Sequence, residues 1–396
     1  MTGRGTVQGP ATRFSCLTHL SCTKCAATFE PTRLLNVCPA PGCGGSLFAE
    51  YELPRLSRDD VAGRDRTIWR WHELMPARRP EEIVTLGEGG TPLLHAPRLG
   101  AHLGMRDVWI KEEAGNPTGS FKARGLAAAV TMAKALGAGA VALPTAGNAG
   151  GAAAAYAAKA GLACHVFMPR DTPKVFRIEC EAYGARVTLV DGLIDDCGRM
   201  VAQRKEAEGW FDVSTLKEPY RVEGKKTMGY EIAEQLGWAL PDVVVYPTGG
   251  GTGLIGMWKA WDEMERLGWI GPARPRMVAV QAEGCAPIPR AFASGEPVSV
   301  RFPDAHTYAS GLRVPKAYAD YLILAILRES KGEAVTVTDD EMRRGVLELA
   351  SSEGLFAAPE GGAAWIALEK LLAAGRLDRG ERVVVFDTGT GYKYVE

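Results

Sequence analysis

Short apolar runs alternate with longer helix-forming runs over most of the chain. One such run, AVALPT (140–145), leads through AGNAG into the helix-forming GAAAAYAAKAG. Alternation of this kind predicts parallel strands joined by helices that cover both faces of each sheet. We therefore predict an α/β fold with binding loops at the carboxyl ends of its strands. The main predicted strands are AVALPT (140–145), CHVFMP (164–169), RVTLV (186–190), DVVVYPT (242–248), MVAVQAE (277–283) and RVVVFDTGTG (382–391).

Composition limits the classes of protein to which the chain can belong. It has 396 residues, of which 46% are hydrophobic and 23% charged, and its formal net charge is −1. This length allows two domains and a small additional module. The near-zero charge gives no electrostatic reason to expect nucleic acid or a membrane surface as a partner, and no apolar run is long enough for a transmembrane helix. The opening MTGRGTVQGPATRF lacks the apolar core of a secretory signal, so we expect a disordered start and a cytoplasmic location.

Four of the nine cysteines cluster near the start of the chain, in CTKC (22–25) and CPAPGC (38–43). In a reducing compartment, two close pairs of this kind indicate a tetrahedral metal site, and zinc is the expected ion. Four protein ligands would complete the coordination, so this zinc would be structural. The alternatives are a ribbon that has lost its metal and a pair of redox-active thiols. Residues 1–53 are predicted to comprise the disordered start and a zinc-ribbon-like module, with the ligands Cys22, Cys25, Cys38 and Cys43.

A glycine-rich loop, TGGGTG (248–253), follows an apolar strand and precedes a helix. Glycines let the backbone approach a ligand closely, and the exposed amides at a helix N-terminus favour an anion such as phosphate. The loop lacks the Gly-Lys-Ser/Thr of a Walker A motif and does not match GxGxxG. It therefore predicts a phosphate that does not belong to a nucleotide, although a turn that merely needs glycine is the alternative.

Lys122 stands in NPTGSFKARG, between a turn of small residues and an alanine-rich helical run. A lysine at such a place is ordinarily a solvated surface residue. However, an amine whose pKa shifts on burial can form a Schiff base with an aldehyde. A Schiff-base lysine together with a phosphate loop indicates pyridoxal 5′-phosphate (PLP) as the cofactor.

Four motifs in order, NPTGSFKARG, TAGNAG, TGGGTG and TGTG, resemble those of the tryptophan-synthase-like (fold type II) family of PLP-dependent enzymes. LGEGGTPLL, the early cysteine pairs and DTGTGYK are similar to the threonine synthases within that family. The resemblance implies two open parallel-sheet α/β domains and a homodimer. Residues 54–125 with 225–396 would form the large PLP-binding domain. Residues 126–224 would form a smaller domain that closes on the substrate.

The resemblance also implies a role for each matching residue. Lys122 would carry PLP and transfer protons, Asn148 would contact the phenolic oxygen O3′, and Thr388 would contact the pyridine nitrogen. A hydroxyl beside that nitrogen favours elimination and replacement over transamination. The amides that would hold the cofactor phosphate belong to Gly249, Gly250, Gly251, Thr252 and Gly253. The turn that would bind the α-carboxylate of a small amino-acid substrate comprises Thr145, Ala146, Gly147 and Ala149.

A threonine synthase converts O-phosphohomoserine and water to threonine and phosphate, which requires a second anion site for the leaving phosphate. The chain departs from the family near that site, at Ala123, Ala149, Leu193, Ile194 and Glu218. Lys217, Arg221, Lys225 and Lys226 supply positive charge there or form a solvated turn. These departures leave open a related enzyme that performs β-elimination, like a serine or threonine dehydratase, or β-replacement, like a cysteate synthase. A non-catalytic binding protein is a third hypothesis, which Lys122 and the phosphate loop disfavour.

Two further segments are expected to support the site. Glu88 in LGEGGTP is expected to hold its loop by hydrogen bonds, and the segment EGGAAW from Glu360 is expected to line the cofactor pocket through its backbone.

Overall fold

The computed structural model describes residues 13–395, and most of the predicted disordered start lies outside them. The strands are β1 (Leu17–Cys22), β2 (Thr28–Phe29), β3 (Leu47–Tyr51), β4 (Leu93–His95), β5 (Val108–Glu112), β6 (Ala140–Pro144), β7 (Ala163–Pro169), β8 (Arg186–Val190), β9 (Trp210–Asp212), β10 (Val243–Pro247), β11 (Arg276–Ala282), β12 (Glu333–Val337) and β13 (Val383–Asp387). The helices are α1 (Arg58–Ala62), α2 (Pro97–Leu103), α3 (Lys122–Ala135), α4 (Asn148–Ala160), α5 (Lys174–Ala182), α6 (Ile194–Glu208), α7 (Arg221–Gln235), α8 (Thr252–Arg266), α9 (Pro287–Ala293), α10 (Asp320–Glu329), α11 (Asp339–Glu353) and α12 (Pro359–Ala373).

The larger of the two parallel sheets has six strands in the order β12-β11-β10-β13-β5-β4. Adjacent strands in this sheet are parallel, except that β4 pairs antiparallel with β5 at one edge. Every residue of β10 and β13 is buried. Their sequences VVVYP and VVVFD suit this position, because central parallel strands are covered by helices on both faces.

The smaller parallel sheet has four strands in the order β8-β7-β6-β9, all parallel. The alanine-rich helices α3 and α4 pack against each other beside it, and their small side chains let the two backbones approach closely. The predicted domain boundaries after residues 125 and 224 fall within α3 and α7. The boundaries and the closing motion stay predictions.

The cysteine-rich module is an antiparallel three-stranded sheet in the order β2-β1-β3. It packs against the rest of the chain through an apolar cluster that includes Leu20, Leu47 and Tyr51, and through polar contacts. Ser46 Oγ donates to the Leu216 carbonyl at 2.7 Å, and Asn36 Nδ2 donates to the Lys217 carbonyl at 3.0 Å. The module therefore contacts the segment that leads into α7.

The six main predicted strands are present with boundaries shifted by a few residues at most. Helix α5 begins after Pro173 and ends two residues before Gly184, which has a left-handed backbone conformation with φ +82°. No helix within residues 13–395 combines the length and the apolar character needed to cross a membrane.

Candidate active site

A pocket lies where the loops that follow β6, β10 and β13 meet. Loops at the carboxyl ends of parallel strands are the usual place for a ligand in such sheets. All the residues predicted to hold the cofactor or the substrate α-carboxylate line this pocket, namely Lys122, Thr145, Ala146, Gly147, Asn148, Ala149, Gly249, Gly250, Gly251, Thr252, Gly253 and Thr388. The structure therefore brings them together, while their roles toward a ligand stay predictions.

Lys122 begins α3, and its amine lies 3.9 Å from the centre of the Phe121 ring. Burial, assisted by the nearby Arg221 guanidinium, lowers the pKa of this amine to about 7, and Glu360 opposes the shift. Part of the Lys122 side chain remains accessible to solvent, because it lines the pocket. A lysine with this pKa is largely a neutral nucleophile just above neutral pH.

The glycine-rich loop connects β10 to the N-terminus of α8, and Gly251 adopts a left-handed conformation with φ +75°. A Cβ on Gly250 would lie 2.6 Å from Thr215 Cγ2, and one on Gly249 would overlap the Gly311 carbonyl oxygen. The loop therefore has no space for side chains, and its amides stand at a helix N-terminus. This arrangement fits a phosphate group.

The turn between β6 and α4 is held by its own threonine. Thr145 Oγ1 accepts hydrogen bonds from Gly147 N at 3.1 Å and Gly150 N at 3.2 Å. A Cβ on Gly147 would lie 3.1 Å from Ser310 Oγ, so the turn faces the loop on the opposite wall of the pocket. The turn has the backbone geometry to bind a carboxylate at a helix N-terminus.

Thr388 follows β13 and lies beside the lysine, since Phe121 N donates to the Thr388 carbonyl at 3.1 Å. The preceding Asp387 is buried, and burial raises its pKa well above the ordinary value, with the Glu112 carboxylate raising it further. Asp387 Oδ1 accepts from Gly389 N at 3.2 Å. This bond helps to fix the turn that carries Thr388.

Glu360 lines the pocket with its side chain, so the prediction that this segment contributes only backbone was incomplete. Its Oε1 accepts from Gly311 N at 2.8 Å and from the Tyr394 hydroxyl at 3.0 Å. Its Oε2 is buried and has no hydrogen-bond partner among the described residues. From the sequence, an acid in the first turn of a helix is expected to interact with the helix dipole, so nothing in the sequence singled it out.

The basic residues that were expected near a second anion are more buried than a solvated turn would be. Arg221, Lys225 and Lys226 are buried, so they are not a solvated turn. Lys225 lines the pocket, and its amine also lies 3.9 Å from the centre of the Phe121 ring. Arg221 Nη1 donates to the Val213 carbonyl at 2.9 Å, while Nε and Nη2 lack partners among the described residues. Two buried basic side chains, those of Arg221 and Lys225, therefore lie next to Lys122.

Two other residues of this segment, Lys226 and Glu218, form contacts outside the pocket. Lys226 pairs with Glu223 and Glu263 in a separate buried network. Burial raises the pKa of Glu218 to about 7, and its carboxylate accepts from the backbone amides of Tyr220 and Arg221 at 2.7 and 2.9 Å. Glu218 therefore caps the start of α7.

Leu193 and Ile194, two of the positions at which the chain departs from the family, have different surroundings. Leu193 packs against the apolar cluster of Cys285, Ala286, Phe302 and Ala305. Ile194 lines the pocket itself. The part of the pocket beyond the cofactor loop therefore combines an apolar residue with buried cations.

A buried ionic network surrounds Arg124, two residues after the candidate lysine. Its Nε donates to Glu113 at 2.7 Å and its Nη1 to Glu231 at 2.6 Å. Glu231 also accepts from Lys111 Nζ and from Gly90 N at 2.8 and 2.9 Å. The network fixes the start of α3 against the LGEGGTP loop.

Glu88 of that loop accepts from the Tyr156 hydroxyl at 2.7 Å and from Trp69 Nε1 at 3.1 Å. It holds the loop by hydrogen bonds, as the sequence predicts. Ala123, one of the residues at which the chain departs from the family, is fully buried.

The four clustered cysteines meet at one point, with all their sulfur atoms within 4.8 Å of one another. The Cys22 and Cys43 sulfurs are 3.5 Å apart, and those of Cys25 and Cys38 are 3.6 Å apart. A tetrahedral zinc with Zn–S bonds of about 2.3 Å requires sulfurs about 3.8 Å apart. The arrangement fits that ion.

Comparisons with known proteins agree with this geometry. The family model described as pyridoxal-phosphate dependent enzyme matches residues 84–389. A threonine synthase of Methanocaldococcus jannaschii is 34% identical over 377 residues, covering 94% of this chain and 92% of the relative. A threonine synthase of Mycobacterium tuberculosis is 37% identical over 329 residues, covering 82% of this chain and 88% of the relative.

Among solved structures, maize serine racemase matches with a TM-score of 0.66 and 19% identity over 76% of this chain and 88% of that chain. The processed form of threonine deaminase isoform 2 from Solanum lycopersicum matches with a TM-score of 0.63 and 21% identity over 76% of this chain and 83% of that one. At these identities the matches establish the similarity of the fold alone.

Proposed function

Because the chain belongs to the pyridoxal-phosphate dependent enzyme family, with the two-sheet α/β fold of its fold type II members, we propose that it is a lyase of the threonine synthase type. The proposed reaction converts O-phosphohomoserine and water to threonine and phosphate. The residues fit PLP on two observations. Lys122 offers a buried amine with a pKa of about 7, and the glycine loop lines the pocket at the N-terminus of α8, where backbone amides suit a phosphate.

The cofactor, when bound, withdraws electrons from the substrate and so acidifies the protons at Cα and Cβ. Lys122 Nζ would remove and return protons at these carbons, because it is the pocket amine at the start of α3. The amides of Gly249–Gly253 would bind the cofactor phosphate. Asn148 would donate to O3′ and Thr388 would contact the pyridine nitrogen, while the amides of Thr145–Ala149 would orient the substrate carboxylate.

The phosphorylated substrate is proposed because two buried basic side chains, those of Arg221 and Lys225, lie beside Lys122. Lys225 faces the pocket, and Arg221 keeps two guanidinium nitrogens without partners among the described residues. Burial lowers the pKa values of both groups. A bound dianion would satisfy their hydrogen-bonding capacity and favour their charged forms. These residues would bind the γ-phosphate and stabilise it as it leaves.

A second candidate has support from other residues of the same pocket. Ile194 contributes apolar surface where a phosphate would need donors, and Glu360 Oε2 places an unpaired carboxylate oxygen in the wall, counting partners among the described residues. These features favour an unphosphorylated amino acid that undergoes β-elimination or β-replacement. The two candidates share the cofactor chemistry and differ in the group that leaves.

A paired assay distinguishes the candidates. The purified protein is incubated with O-phosphohomoserine and, separately, with serine and threonine, and inorganic phosphate, threonine, ammonia and 2-oxo acid are measured. Release of phosphate with equimolar threonine supports the proposed function. Formation of 2-oxo acid and ammonia without phosphate release supports the second candidate. The Lys122→Ala variant serves as the control, since it should be inactive on every substrate.

We further propose that the sulfurs of Cys22, Cys25, Cys38 and Cys43 hold a structural zinc ion. Four thiolates complete the coordination shell of zinc and leave no open position for chemistry. A cytoplasmic homodimer and closure of residues 126–224 over the substrate belong to the same proposal. They rest on the resemblance and on the composition.

A further inference from the structure

Lys393, close to the end of the chain, reaches into the wall of the active site. Its Nζ donates to Asn148 Oδ1 at 3.1 Å and to the Thr118 carbonyl at 2.7 Å. It also forms an ion pair with both carboxylate oxygens of Glu179, at 2.7 and 2.8 Å. The side chains of Lys393 and Glu179 are each only 13% exposed. The ammonium group thus has several fixed acceptors, which hold it in one position.

The contact with Asn148 determines which way its side-chain amide faces. An ammonium group can only donate hydrogen bonds, whereas an amide offers one accepting oxygen and one donating nitrogen. Asn148 must therefore turn its oxygen toward Lys393. Its Nδ2 then lies on the side of Gly389, where an added Cβ would be 3.5 Å from that nitrogen. Gly389 directly follows Thr388, which lines the pocket.

We propose that Lys393 is a positioning residue that fixes the orientation of the Asn148 amide, so that Nδ2 donates to the O3′ oxygen of bound PLP. This inference rests on the proposed function, which places O3′ at Asn148. In the opposite orientation the amide would present its oxygen to O3′, and two acceptors would face each other. Lys393 excludes that orientation, because it would then face the amide nitrogen, another donor.

The hydrogen-bond acceptors that hold the Lys393 ammonium group come from separate parts of the chain. Glu179 belongs to α5, and a Cβ on Gly151 of α4 would lie 2.7 Å from its Oε1 and closer still to its other carboxylate atoms. Gly151 therefore leaves the space that Glu179 occupies. Thr118 adopts a left-handed backbone conformation with φ +60° in the turn before Lys122. The ammonium group joins the turn before Lys122, the start of α4 and helix α5.

A double-mutant cycle on PLP affinity tests the proposal. The dissociation constant of PLP is measured by absorbance titration of the cofactor-free wild type, Lys393→Met, Asn148→Ala and the double variant. We expect each single variant to bind PLP about tenfold more weakly, as for the loss of one hydrogen bond. If Lys393 acts through Asn148, the double variant should bind no more weakly than Asn148→Ala. Full additivity, or unchanged affinity in Lys393→Met, would overturn the proposal.

Two further variants separate orientation from general support of the fold. Arg301→Met removes another ion pair, with Asp195 of α6, that does not touch Asn148. Glu179→Gln removes the ion pair but leaves Lys393 bonded to Asn148. We expect both to bind PLP nearly as the wild type does. A loss in Glu179→Gln as large as that in Lys393→Met would show a structural role and overturn the proposal.

Thermal melts check that each variant is folded. If Lys393→Met does not fold, Lys393→Arg keeps the proposal testable, because binding as weak as that of Asn148→Ala would overturn it. Lys393→Arg, which retains donors, should recover part of the affinity. PLP binding by the wild type separates failure of the proposed function from failure of this inference. A wild-type protein that binds no PLP would reject the proposed function. A wild type that binds PLP, with Lys393→Met equal to it, would reject this inference alone.

Discussion

Replacing Gly253 with alanine tests the phosphate loop most sharply. The new Cβ would overlap the Tyr246 hydroxyl and lie 2.5 Å from Tyr246 Cζ and 2.9 Å from Met228 Cε. Ordinary carbon contacts are about 3.5–4.0 Å, so one partner must move by about 1 Å. Tyr246 is buried, and its ring packs against Phe386 with centroids 4.9 Å apart. The first turn of α8 is therefore the part that moves.

The size of the effect follows from two opposing contributions. Overpacking costs about 1–3 kcal/mol, while alanine in place of glycine in a helix contributes at most about 1 kcal/mol. A displacement of about 1 Å breaks at least one hydrogen bond between a loop amide and the charged phosphate. Such a bond contributes about 1.5–3 kcal/mol, so the dissociation constant of PLP should rise about 10- to 100-fold.

The assay is an absorbance titration of the cofactor-free protein with PLP, accompanied by a thermal melt. Gly198→Ala is the matched control, because it also lies in a helix, and its new Cβ would meet only Pro144 Cγ, at 3.8 Å. We expect the control to bind PLP normally and to gain up to about 1 kcal/mol in stability. A folded Gly253→Ala protein that binds PLP within about twofold of the wild type would refute the reasoning.

Three further predictions address the lysine, the ionic network and the cysteines. Burial lowers the pKa of Lys122 to about 7, and only the neutral amine attacks an aldehyde. The rate of PLP uptake by the cofactor-free protein should therefore rise as the pH passes about 7, and not near the ordinary lysine pKa of 10.5. Stopped-flow absorbance measures this rate. Arg124→Met leaves the buried carboxylates of Glu113 and Glu231 underpaired, and it should lower the free energy of unfolding, measured by urea titration, by about 3–5 kcal/mol. The control Arg177→Met, which breaks an exposed ion pair, should lower it by less than about 1 kcal/mol. Equal effects of the two variants would contradict the role of the network. Elemental analysis should find one zinc per chain, lost in Cys38→Ser, and a zinc content that this variant retains would reject the site.

Much of the architecture is encoded locally and could be predicted. The strands of the central sheets are continuous apolar runs, and glycines and prolines mark the ends of several helices. The order of strands could not be predicted, because β13, from the end of the chain, lies between β5 and β10. Short or partly exposed strands such as β9 and β12 lack a comparable apolar run. They form because their neighbours in the sheet are already in place.

The candidate site was predicted where the chemistry is concentrated in motifs. Lys122 and the glycine loop each require special backbone or side-chain properties, so the sequence marks them. The sequence places Glu360 and Lys393 in recognisable segments but does not indicate what their side chains do, since each acts through partners distant in the chain; Glu179 lies 214 residues from Lys393. The burial of Lys226 was missed for the same reason, because Glu263, which neutralises it, lies 37 residues away.

The central claim is that Lys122 carries the cofactor in this pocket, and borohydride reduction tests it most directly. The purified protein is incubated with PLP, reduced, digested and mapped by mass spectrometry. The account predicts a single pyridoxyl label on Lys122, and no label at that position in Lys122→Ala. Absence of any label, or a label on the neighbouring Lys225 in the wild type, would contradict it.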